Sequence, residues 1–128
     1  MNPQGTLEFI RRDPRIRVEL FADYCVIDSP SDNGVAKEST IVKTLGGGGV
    51  MFLSPVHLPK GTHVEMKVFF DIMAITFEAE VVWTELQLER NQKEFPCGLS
   101  FSRIADDDLF YIQYMVNQKL HSNPGGGE

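Results

Sequence analysis

Four of the twelve basic residues fall within seven positions: Arg11, Arg12, Arg15 and Arg17, with Asp13 and Pro14 between them. All four are arginine, whose planar fork can hold a phosphate through two parallel hydrogen bonds and can also stack on a flat ring. Eight basic residues remain elsewhere against eighteen acidic ones, and the net charge is −6. One arginine cluster on an acidic chain predicts a small anionic partner held at one place. A protein that coats nucleic acid carries a general basic excess instead, so no nucleic-acid partner is expected. The plainer alternative is an N-terminal arm whose arginines only pair with surface carboxylates.

Four consecutive glycines, Gly46 to Gly49, are the second feature with chemical potential. Glycine tolerates positive φ and lets a backbone approach a ligand closely, and successive amides can form a concavity for an anion. No Lys-Ser/Thr follows in the GxxxxGK(S/T) sense and the flanks read as strands, which excludes a P-loop and a dinucleotide-binding fingerprint. Taken alone, the run predicts a tight turn or bulge between strands.

Other chemistries find little support. His57, His63 and His121 are far apart and show no HxH or HxxxH spacing, and Cys25 and Cys97 are the only cysteines. No zinc-type site, and no cofactor, is expected from that set. Two scattered thiols with apolar neighbours predict small packed hydrophobes in a reducing compartment, not a disulfide framework. No Ser-His-Asp arrangement can be assembled, and Asp106-Asp107-Asp108 reads as a helix start, so no enzyme activity is expected. No apolar run approaches the roughly 18–20 residues needed to span a bilayer, and Met1 to Gly5 lack a signal-peptide layout. A cytoplasmic chain without membrane insertion is expected.

The elements that must position these residues are mostly strands. Ile16, Val18, Leu20 and Ala22 alternate with Arg17, Glu19, Phe21 and Asp23, the pattern of a half-buried strand. A turn-rich segment spans Asp28 to Gly34, then strands are predicted from Glu38 to about Leu45 and over Val50 to Leu53. Residues 54–61 read as a loop. His63–Phe70 and Ile72–Thr84 predict a hairpin around Asp71, Leu86–Glu94 a polar loop, and Pro96–Phe101 a last short strand. The period then lengthens: Leu109, Ile112, Val116 and Leu120 form one helical stripe behind the acidic start at 106–108. About six antiparallel strands with one C-terminal helix predict an all-β fold, a small barrel with the helix across one open end. The expected division is a flexible arm over 1–15, the barrel and helix over 16–121 and a disordered tail over 122–128.

Arg11-Arg12-Asp13-Pro14-Arg15 resembles the RxxxR motif that opens a PilZ domain, with Arg11 and Arg15 as the spaced pair. Such domains carry a (D/N)xSxxG string some twenty-five residues later. Here Val42-Lys43-Thr44-Leu45-Gly46-Gly47 is similar to it, with Thr44 on the serine and Gly47 on the glycine. Val81-Val82-Trp83 and Gly98-Leu99-Ser100-Phe101, followed by the acidic-capped helix, resemble the later strands and helix of that family. The resemblance covers about Phe9 to Leu120. It implies a six-stranded antiparallel PilZ-like barrel with a C-terminal helix and a cyclic di-GMP receptor that passes the signal to an effector protein controlling motility, adhesion or exopolysaccharide. The residues it assigns to the ligand are Arg11, Arg12, Arg15, Val42, Thr44, Gly46 and Gly47, with an arm that folds over the bound nucleotide. The family's Asp or Asn is replaced by Val42, which offers no polar group. A nucleotide-independent PilZ-like adaptor is therefore the alternative reading, and an unrelated small barrel for a protein or another anion is a third.

Overall fold

The computed structural model describes residues 14–27, 37–85 and 92–122. Residues 1–13 of the arm, Arg11 and Arg12 among them, the turn at 28–34, most of the polar loop and residues 123–128 of the tail lie outside the described residues. Among the described residues six strands precede one helix: β1 (Arg15–Val26), β2 (Glu38–Gly46), β3 (Gly49–Ser54), β4 (His63–Phe69), β5 (Ala74–Thr84), β6 (Phe95–Arg103) and α1 (Asp106–Ser122). All neighbouring strands are antiparallel, and they close in the order β1-β2-β3-β6-β5-β4, with β1 also paired to β4. The expected barrel with a C-terminal helix is the observed fold.

Alternation fills its interior. Ile16, Leu45, Val50, Leu99 and Val81 stand opposite one another in turn across five strands, and all are buried. Side chains on successive residues point to opposite faces, so each such inward row has an outward row beside it. Phe52, Met66, Val68, Ile75 and Phe77 complete the core, with the rings of Tyr24 and Phe52 packed edge to face at 5.0 Å. Burying side chains of this size contributes about 1.5–3 kcal/mol each, which is why the pattern is so strongly imposed on the sequence.

The helix begins at Asp106 because three aspartates occupy its first turn, where the macrodipole favours negative charge. Its Ile112 and Val116 join the barrel core, and Tyr111 packs edge to face on Phe70 beyond the end of β4. Two expectations need correction. Leu120, the last member of the predicted stripe, is exposed, so the helix's fully buried contact with the barrel ends at Val116. The β5 strand starts at Ala74 and not at Ile72, because the amide of Phe70 donates to the Met73 carbonyl at 2.7 Å and closes a turn over 70–73. Ile72 sits exposed in that turn.

Candidate functional site

The glycine run forms the connection between β2 and β3. Gly46 ends one strand, Gly49 begins the next, and Gly47-Gly48 turns between them. None of the four uses positive φ; among the described glycines only Gly61 does, at 93°. What this turn needs is the absence of side chains. A Cβ on Gly49 would overlap the Leu99 carbonyl oxygen of β6, and one on Gly46 would stand 2.8 Å from the Pro14 carbonyl oxygen. Gly47 is different, since a Cβ there would meet only Gln113 at an ordinary 3.5 Å.

This geometry brings the end of the arm to the turn. Arg15 is the first residue of β1, is exposed, and stands directly opposite Gly46. Pro14 and Gly47 line an open groove of about 290 Å³ with Gln113, Val116 and Asn117 of α1. Two residues further along β1, Arg17 stands opposite Thr44.

The row through Thr44 continues around the outside of the barrel. Thr44 faces Met51, Met51 faces Gly98, and Gly98 faces Trp83. The indole of Trp83 covers Gly98, so the outer surface runs from a guanidinium through a hydroxyl and a thioether to an aromatic ring. At about 4.8 Å per strand, that row is roughly 19 Å long. Its cationic end opens into a groove of about 520 Å³ lined by Arg17, Val18, Glu19, Lys43, Thr44 and Met51. Within it Lys43 Nζ donates to Glu19 Oε2 at 2.8 Å, and this pairing holds the Glu19 carboxyl below its ordinary range. The Thr44 hydroxyl is shielded from solvent and has no hydrogen-bond partner in the structure. Buried hydroxyls are nearly always partnered, so an orphan of this kind inside a groove marks a place where a ligand atom or water can bond.

Val42 does not belong to this surface. Its side chain is 0% exposed, in an inward row with Phe52 and Cys97, on the opposite side of the barrel wall from the groove. Two residues apart on a regular strand, Val42 and Thr44 would share a face. They are separated because the ladder is irregular between them on both sides: three residues of β1 (Arg17 to Leu20) and one of β3 (Met51 to Phe52) span the same two-residue step of β2. Lys43 sits at this irregularity. Bulges of this type re-aim side chains and are common beside binding sites.

Of the expected site residues, the structure therefore gathers Arg15, Thr44, Gly46 and Gly47 on one side of the barrel and places the Val42 side chain in its interior; Arg11 and Arg12 are outside the described residues. It adds Arg17, Lys43, Met51 and Glu19. The signal for Arg17 was present in its place within the arginine cluster; the signal for Lys43 was hidden by the bulge. Among the described residues no group of three or more His, Cys, Asp or Glu side chains could hold a metal ion, and no helix is long and apolar enough to cross a membrane.

The PilZ domain profile matches residues 9–118, most of the chain. The chain belongs to the PilZ family. PilZ domains are binding and adaptor modules. Among solved structures, the PilZ domain of YcgR from Escherichia coli, with c-di-GMP, superposes with a TM-score of 0.65 at 13% identity, covering 92% of this chain and 98% of that one. The Bacillus subtilis inhibitor of motility MotI/DgrA gives a TM-score of 0.70 at 14% identity and covers 88% of this chain; this PilZ chain spans only 52% of it. A tetrameric PilZ domain protein from Xanthomonas campestris gives 0.61 at 13% identity, covering 92% of this chain and 97% of that one. At these identities the likeness is one of fold. No curated protein gives a significant match.

Proposed function

We propose that this PilZ domain is a cyclic di-GMP receptor that relays the second messenger to an effector protein controlling motility, adhesion or exopolysaccharide, by binding and without catalysis. The observation that carries the reading is the register of β1 on β2. It sets Arg15 against Gly46 and Arg17 against Thr44, so these two arginines and the glycine turn, far apart in sequence, share one face. Cyclic di-GMP has two phosphates and two flat guanines, and that face offers guanidinium forks beside an unpartnered hydroxyl. In this reading Arg11, Arg12 and Arg15 close over the nucleotide, and the ordering of the arm is the signal.

Within the same reading the second motif begins at Thr44 and not at Val42. The required glycine then falls on Gly49, where no side chain fits beside Leu99, and not on Gly47, where one does. Thr44 takes the Asp/Asn place on the outer surface, and Gly46 takes that of the serine. Neither place keeps the family's usual residue. This supports a second reading, a nucleotide-independent adaptor, because a serine side chain at 46 would press on the Pro14 carbonyl.

Isothermal titration with cyclic di-GMP separates the two. The receptor reading expects saturable heat, weakened at least about tenfold in Arg15→Ala. A folded wild-type protein that gives no heat leaves the adaptor reading in its place.

A further inference from the structure

We propose that Lys43 is a phosphate-binding residue of the receptor site and that Glu19 is its built-in competitor, holding the ammonium until an anionic ligand displaces the carboxylate. The inference rests on the receptor reading and deepens it by naming a ligand contact outside both sequence motifs.

In an unbroken β2 strand, Lys43 would lie on the face opposite both Val42 and Thr44. The irregularity between Val42 and Thr44 instead places the lysine in the same groove as Thr44, beside Arg17 of the neighbouring strand. Two cations and a shielded, unpartnered hydroxyl then line one concavity, with Val18 and Met51 as its apolar walls. That set suits a phosphate flanked by a flat, weakly polar group.

Among the described residues Glu19 is the one acid lining this groove, and it takes the lysine at 2.8 Å. The two side chains are unequally anchored. Lys43 is 33% exposed, whereas Glu19 is 74% exposed. An exposed ion pair is weak and screened by salt, so a phosphate that also bonds Arg17 and Thr44 can take the lysine while the glutamate swings into water. The lysine stays in the groove and the carboxylate leaves. Such a pair would also discriminate among ligands, because a neutral molecule cannot replace the carboxylate on Lys43.

The test is titration of cyclic di-GMP into wild type, Glu19→Gln, Lys43→Gln and the double variant. Thermal melts verify folding, and Trp83 fluorescence serves as a second readout at the far end of the row. Glu19→Gln is expected to tighten binding roughly two- to fivefold. Lys43→Gln is expected to weaken it about tenfold. The double variant should match Lys43→Gln, because the glutamate acts only through the lysine. Wild-type binding that neither single variant alters overturns the inference and leaves the receptor reading standing. A Glu19→Gln gain that persists without Lys43 also overturns it, since the carboxylate would then act as a general repulsive charge. Folded proteins that all ignore the nucleotide refute the receptor reading itself and the inference with it.

Discussion

Trp83 lies across Gly98 so closely that the indole Nε1 occupies the space a Cβ on residue 98 would need. The pair links the outer row of the candidate site to the β5 strand, since Gly98 also stands opposite Met51. The chain's single tryptophan thus reports directly on this surface.

Gly98→Ala is expected to lift the indole away from the barrel without unfolding it, because Trp83 is 38% exposed and can rotate into solvent. Emission should shift to longer wavelength, with a stability loss of about 1–2 kcal/mol from the displaced ring. Unchanged emission would show that the ring does not depend on the glycine.

Gly49 and Gly47 are expected to respond very differently to alanine. At 49 the new methyl meets backbone of β6, which cannot turn aside, so Gly49→Ala should cost about 3 kcal/mol or more. At 47 it meets only the end of Gln113, and Gly47→Ala should stay within about 0.5 kcal/mol of wild type. Chemical denaturation of both variants checks the contrast. Equal losses would mean that close approach to Leu99 is not what the turn requires.

Val42→Asp is expected to destabilise the barrel by about 3–5 kcal/mol, because it places an unpaired carboxylate at a fully buried position among Phe52 and its neighbours. Thr44→Asp, on the outer surface beside Arg17, should fold normally. Thermal melts distinguish them, and a stable Val42→Asp would restore that position to the candidate site.

Cys97 sets an alkaline limit. Burial pushes its thiol up to about 11 from an ordinary 9.0. The folded state therefore disfavours the thiolate that the unfolded chain forms readily. Stability from this group is fully present below about pH 9 and is lost as pH rises toward 11. Denaturation midpoints measured across that window should fall less steeply in Cys97→Ala than in wild type, whatever the offset from the cavity. The Tyr24 hydroxyl, also raised by burial, adds to the remaining slope.

The barrel was legible because its burial pattern is imposed residue by residue. Leu45, Val50 and Leu99 could not be polar, and Asp106 to Asp108 announce a helix whatever follows. The side on which Arg15 and Gly46 meet was legible through the family motif. The inward placement of Val42 was not legible for a definite physical reason: reading Val42 and Thr44 as neighbours on one face assumes an unbroken pleat, and the irregularity at Lys43 breaks it. Nothing in Ile41-Val42-Lys43-Thr44 announces a bulge, because its cause lies in the register of β1 and β3. The glycine run is the turn between strands that its composition predicts, for a reason its composition does not give. Its conformational freedom was the obvious property, whereas the structure uses only the missing side chains at Gly46 and Gly49.

The closed strand order has a consequence for how any signal leaves the protein. With β1 hydrogen-bonded to both β2 and β4, the described barrel has no open edge on which another chain could continue the ladder. Partner capture by β-augmentation is thereby excluded for this ring, and so is edge-to-edge aggregation of the folded barrel. A partner docking on the described barrel would read side chains on its curved outer wall, its connecting loops or the helix, where specificity is written in amino-acid identity and each contact can be tested by point substitution.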